Sequence, residues 1–149
     1  MKLATGMWVA VLDGARGLIL VNEGSALEPK LSVKQSYSQD NPPTHEQGRD
    51  KPPRAFDSNG THRSAMEAPD LHQKAEDRFV AGVMADLEKA AVADAFDKIV
   101  IVAPPVALGT IRKAFGSALK PKIVKEISAD YVKKPVTDIA AAVQEALEG

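Results

Sequence analysis

The chain has 149 residues, 44% of them apolar and 26% charged, with a formal net charge of -1 and no cysteine. This length supports one hydrophobic core and not comfortably two, and the lack of cysteine excludes disulfides, thiolate metal sites and a cysteine nucleophile. A charge so close to zero leaves only a local basic footprint as a route to nucleic acid.

MWVAVLDG (Met7 to Gly14) and GLILVNEG (Gly17 to Gly24) are apolar runs bounded by glycines. Only Ala15 and Arg16 separate the inner glycines, which predicts two strands joined by a tight hairpin, with Asp13 bonding amides of the turn. The first run breaks at Asp13 and Arg16, too early for a membrane span, and no small-residue cleavage site follows. No membrane insertion is therefore expected, and a cytoplasmic location is. Leu31 to Tyr37 predicts a third strand, whose alternating polar positions suit a solvated face or a sheet edge.

A polar segment follows from about Ser38 to Ala68, with no apolar rhythm of helix or strand. From Pro69 the spacing turns helical, with Asp70 as the expected N-cap. Ala75, Phe79, Val83, Leu87 and Ala91, widened by Val80 and Met84, form its apolar stripe. Ile99 to Ala103 is a continuous apolar run ended by Pro104 and Pro105, the pattern of a central strand buried on both faces. Val106 to Phe115 resumes helical spacing with Gly116 as the expected C-cap. Lys122 to Ile127 reads as a short strand, and Pro135 to Leu147 as an amphipathic helix with Asp138, Glu145 and Glu148 on its polar side. The order β-β-β-loop-α-β-α-β-α predicts a single α/β domain over 1-149. Its sheet is mixed and five-stranded, with helices on its faces, and a long polar loop occupies about 38-69.

That loop contains HEQGRDKPPRAFDSNGTHRS, from His45 to Ser64. Pro42, Pro43, Pro52 and Pro53 stiffen it, Phe56 is its one strong apolar anchor, and Asp57-Ser58-Asn59-Gly60 reads as a side-chain-stabilised turn. One reading is an RNA-facing arm in which Arg49, Lys51, Arg54, His62 and Arg63 contact phosphates. The other is a solvated loop whose Asp40, Glu46, Asp50 and Asp57 cancel those charges. A second basic group, Arg112, Lys113, Lys120, Lys122, Lys125, Lys133 and Lys134, supplies an RNA-backbone surface if its members share a face. Otherwise it is a lysine-protected sheet edge.

Catalytic patterns are weaker. His45, His62 and His72 with Asp57, Glu67 and Asp70 lack the i, i+4 spacing of helical metal motifs, so neither metal nor cofactor is expected. A two-metal nuclease needs carboxylates clustered at one height, whereas Asp13 ends the first strand and Asp97 precedes the fourth. Ser58 and Ser64 near His62 lack a nucleophile-elbow motif. Ala103-Pro104-Pro105 lies at the carboxyl end of the central strand, but its prolines remove two donors from any phosphate cradle there.

WVAVLDGARGLIL, FDSNGTHR, FDKIVIVAPPVALGTIRKAF and ISADYVKKPVTDI together resemble the bacterial host-attachment protein family. That family is grouped with bacterial relatives of the archaeo-eukaryotic peptide-chain release factors and Pelota. The resemblance covers nearly the whole chain and implies a ribonuclease-H-like sheet. In the release factors the loop before the long helix carries a Gly-Gly-Gln tripeptide that enters the peptidyl-transferase centre. Here the corresponding loop reads Glu46-Gln47-Gly48, so Gln47 stands without the two glycines. The resemblance implies a module that binds the ribosome or structured RNA without that hydrolysis, using Gln47, Arg49, Lys51, Arg54, Phe56, Asp57, His62 and Arg63. A hydrolase centred on the same loop, and an accessory factor for host-cell attachment, are the alternatives. The catalytic residues of any such hydrolase and the oligomeric state are left open.

Overall fold

β1 (Trp8–Leu12) and β4 (Ile99–Ala103) form the middle of the sheet, and every residue of both is buried. Continuous apolar sequence is what a strand covered on both faces requires, since neither alternating set meets water. In the computed structural model the described residues are 1-39 and 57-148, the helix backbone alone being described at 57-70 and 72. The remaining elements are β2 (Arg16–Asn22), β3 (Leu31–Ser38), α1 (Asp57–Val92), α2 (Pro105–Lys113), a 3-10 turn (Lys120–Lys122), β5 (Ile123–Ser128) and α3 (Val136–Glu148).

The strand order is β3-β2-β1-β4-β5. β2 pairs antiparallel with both β1 and β3, while β1, β4 and β5 are mutually parallel. This is the mixed five-stranded sheet expected from three meandering strands followed by helical crossovers. Trp8, Ala10, Leu12, Ile99 and Ile101 pack on one face against Val80, Val83, Met84 and Leu87 of α1 and Leu108 and Ile111 of α2. Val9, Val11, Val100 and Val102 pack on the other against Ile139, Val143 and Leu147 of α3. Each large aliphatic side chain removed from water in these layers contributes about 2 kcal/mol.

β3 is an edge strand, and between its ends Val33 to Ser36 are exposed. The first hairpin closes as its glycines imply. The Asp13 amide donates to the Arg16 carbonyl, and Asp13 Oδ1 accepts the amides of Ala15 and Arg16, both at 2.8 Å. Gly14 is fixed by a close approach: a Cβ there would lie 2.7 Å from Cδ of Glu76 on α1.

Two helix boundaries differ from the sequence reading. α1 begins at Asp57 and not at Asp70, so Asp57-Ser58-Asn59-Gly60 is a first helical turn and Pro69 lies inside the helix. Apolar periodicity marks only the packed part of a helix. Residues 57-68 lack a stripe but contain good helix formers in Arg63, Ala65, Met66, Glu67 and Ala68. α2 ends at Lys113 with Ala114 as its C-cap, the Ala114 amide donating to Ile111, so Gly116 is not the cap. Gly116 instead leaves room for the Glu88 side chain, which a Cβ would strike.

The 36 residues of α1 make a helix about 54 Å long, about three times the ~17 Å of a five-residue strand. It therefore extends well beyond the sheet. Its end is a left-handed cap: Asp94 has φ 56°, and the Ala95 amide donates to Ala90 while the Asp94 amide donates to Ala91.

Candidate nucleic-acid interface

Because β1, β4 and β5 are parallel, the sheet has a carboxyl end and an amino end, and functional groups sort between them. The hairpin Asp13–Arg16, the start of α2 and the end of β3 all lie at the carboxyl end. There Gln39 directly follows β3. Its amide donates to Ala15, and its side-chain Nε2 donates to the carbonyls of Gly14 and of Ala75 in α1, each at 3.4 Å. Gln39 is thus the stitch that ties β3, the hairpin and α1 together immediately before residue 40. The polar segment 40-56 has one flank fixed at this end of the sheet and the other at the start of α1.

Next to that stitch is a cavity of about 160 Å³ lined by Gly14, Gln73, Glu76, Asp77, Pro104 and Thr110, among others. Asp77 Oδ1 accepts from Gln73 Nε2 and Thr110 Oγ1, both at 3.0 Å, so this carboxylate links α1 to α2. Pro104 serves as N-cap of α2 without a side-chain cap bond, and Pro105 occupies its first turn. The two prolines remove donors from the helix start, as the sequence implied. Among the described residues no three His, Asp or Glu side chains come together to hold a metal ion.

Gln47, Arg49, Lys51, Arg54 and Phe56, together with His45, lie outside the described residues. Asp57, His62 and Arg63 are on the helical backbone of α1, and their side chains, like that of His72, lie outside the described set.

The basic group of the C-terminal third is not gathered on one face. Arg112 and Lys113 end α2 and Lys120 and Lys122 precede β5, toward the amino end of the sheet. Lys133 and Lys134 follow β5 and so come after its carboxyl end. Lys125 pairs with Val100 and so belongs to the α3 face, while Glu126 pairs with Ile101 on the α1 face. Arg112 Nε donates to Glu126 at 2.8 Å and Lys122 Nζ to Asp94 at 3.0 Å. Proximity in sequence had suggested a patch. A strand between two basic clusters instead delivers them to opposite ends.

Residues 6-143 match the model of a protein family described as bacterial archaeo-eukaryotic release factor family 12. The chain belongs to that family. No curated protein matches it. Among solved structures, this family 12 chain is similar to the crystal structure of an archaeal translation termination factor, aRF1. That similarity has 10% identity, a TM-score of 0.49, and coverage of 95% of this chain and 39% of the other. A second structure, described as an archaeal protein, matches at 11% identity and a TM-score of 0.49, over 95% of this chain and 38% of its own. The family 12 chain thus spans about two fifths of the length of these structures.

One contact of the family 12 chain gave no sequence signal. Tyr37 of β3 donates its hydroxyl to Asp86 Oδ2 of α1 at 2.9 Å. Burial, then this bond and the Asp86 charge, push the phenol from 10.0 up to about 12. Asp86 lies on the exposed side of an amphipathic helix, where periodicity predicts only solvent.

Proposed function

We propose that this chain is a release-factor-like module that binds the ribosome or structured RNA through the polar segment between β3 and α1, without Gly-Gly-Gln hydrolysis. Family membership over residues 6-143 supports the release-factor character. The observation that carries the location is the Gln39 stitch, which fixes the entry of the segment at the carboxyl end of the sheet. Arg49, Lys51, Arg54 and Arg63 then supply phosphate contacts, and Arg16, Lys133 and Lys134 add positive charge at the same end. The chain contains no Gly-Gly-Gln, so the water-positioning backbone of that tripeptide has no counterpart. Binding is the function, with no cofactor.

Ribosome co-sedimentation at low and high salt tests this reading. Association that weakens with salt and disappears when Arg49, Lys51, Arg54 and Arg63 are all replaced by alanine is expected. Association indifferent to those replacements, or none at low salt, overturns it.

A further inference from the structure

We propose that the groove between β3 and α1 is a subsite for one nucleotide unit of single-stranded RNA. This deepens the RNA-binding reading and rests on it.

The groove is a cavity of about 170 Å³. Trp8, Ile19 and Leu87, all buried in the core, form its apolar floor. A volume well below the ~300 Å³ of drug-sized sites suits a single planar heterocycle. A paired base, stacked and bonded within a duplex, does not enter such a space, which selects single strands.

The wall is preorganised. The Tyr37 ring is held by its bond to Asp86, so it offers a fixed aromatic edge and surface without first being ordered. Asp86 and Gln35 line the same cavity and bring to it a carboxylate acceptor and an amide donor-acceptor pair, the kinds of group that read a base edge.

A local irregularity of β3 adds the charge. In a regular strand neighbouring residues point to opposite faces, so Lys34 and Gln35 would not share a groove. The β2–β3 register shifts between Ile19 and Leu20, where Ile19 pairs with Gln35 and Leu20 with Val33. Lys34 is the extra residue, and both Lys34 and Gln35 line the cavity. Bulges commonly re-aim a side chain in this way beside functional sites. Lys34 Nζ lies 5.4 Å from the Trp8 ring centroid, and Lys89 approaches from α1. Both lysines are exposed. Two cations against the single Asp86 carboxylate make the rim positive in a chain of net charge -1. Flanking phosphates of a bound nucleotide are their natural partners. The groove is built from β3 and α1, the two elements that precede and follow the polar segment in the chain.

Trp8 is the only tryptophan, so its fluorescence reports on the groove directly. The full chain is titrated with single-stranded heptamers of adenylate, cytidylate and uridylate at several salt concentrations. Saturable quenching is expected. The double variant Lys34→Glu/Lys89→Glu weakens it about tenfold, and loss of two phosphate contacts makes the log–log salt slope shallower by about 1.4. Asp86→Asn, which still accepts from Tyr37, changes the ranking of the three heptamers and leaves the slope unchanged. Unchanged circular dichroism and thermal midpoint certify each variant as folded. No quenching by any heptamer, or quenching indifferent to the lysine replacements in folded protein, overturns the proposal. Ribosome co-sedimentation of the unsubstituted chain, set beside its heptamer titration, separates the two readings. Ribosome association without heptamer quenching leaves only the groove refuted, and heptamer quenching without ribosome association leaves only the ribosome refuted.

Discussion

The carboxylate of Glu88, on the side of α1, accepts the amide of Leu119 at 2.9 Å and the neighbouring Ala118 amide at 3.0 Å. A single side chain thereby satisfies two donors in the turn that leads from α2 to β5, and Leu119 itself is fully buried. Glu88→Ala leaves both amides without their acceptor and is expected to destabilise the fold by about 2 kcal/mol. Gly116→Ala, which drives a Cβ into the same carboxylate, produces a loss of similar sign. Urea unfolding of the two single variants and the double variant checks this. The double variant should lose less than the sum of the singles, because the alanine at 88 removes the obstacle to the alanine at 116.

Asn22 is the buried polar residue among the described side chains, and its bonding is complete. Nδ2 donates to the carbonyls of Leu3 and Ala4 at 2.8 and 3.1 Å, and Oδ1 accepts the amides of Gly24 and Lys30 at 2.9 and 2.8 Å. Asn22→Leu removes these bonds while keeping bulk, and is expected to cost about 3 kcal/mol through orphaned backbone groups. Asn22→Asp keeps the acceptors but turns a carboxylate toward two carbonyls, so it destabilises more at pH 7 than near pH 4. Chemical denaturation at the two pH values measures the difference.

Tyr37 ionises in the folded protein at about 12, above its ordinary 10.0. A raised folded pKa means that its contribution to stability is complete below pH 10 and is lost as pH climbs from 10 to 12. Tyr37→Phe should therefore abolish the part of the alkaline instability that belongs to this residue. The chain has two tyrosines, so absorbance titration of the variant isolates Tyr131.

Asp94 holds the left-handed cap of α1 at φ 56°, a conformation that glycine adopts at no steric cost. Its carboxylate also meets Lys122 at 3.0 Å, but the Asp94 side chain is 82% exposed and the pair contributes little. Asp94→Gly is expected to raise stability by about 0.5 kcal/mol. Asp94→Asn, which keeps the conformational tolerance and removes the charge, should change it by less. Thermal unfolding at low and high salt distinguishes the two terms.

The legible parts of the sequence were those governed by burial. β1 and β4 are apolar throughout because both their faces are covered, and the stripe from Phe79 to Ala91 is apolar because one side of α1 lies on the sheet. The start of α1 escaped the same reasoning, since residues 57-68 fold as helix without an apolar stripe to mark them. The groove at Tyr37 escaped for a different reason: it depends on a one-residue register shift and on pairing a strand with a helix residue far away in sequence. The basic group was visible as composition, but whether Lys120 and Lys133 share a surface depends on the direction of β5 between them. The loop residues Gln47 to Phe56 lie outside the described residues, and their role stands as proposed.

The central pairing of β1 with β4 joins Trp8 to Ile99, from opposite halves of the chain. During synthesis the β1–β2–β3 meander has its partners at hand, but it presents bare apolar surface on both sides until α1 and β4 have emerged. Closing the middle of the sheet is then a non-local event, and topologies of this kind fold slowly relative to those built from neighbours. Trp8 should register that closure as a late optical step, because Phe96, which settles 4.5 Å from its ring, arrives only with the second half of the chain.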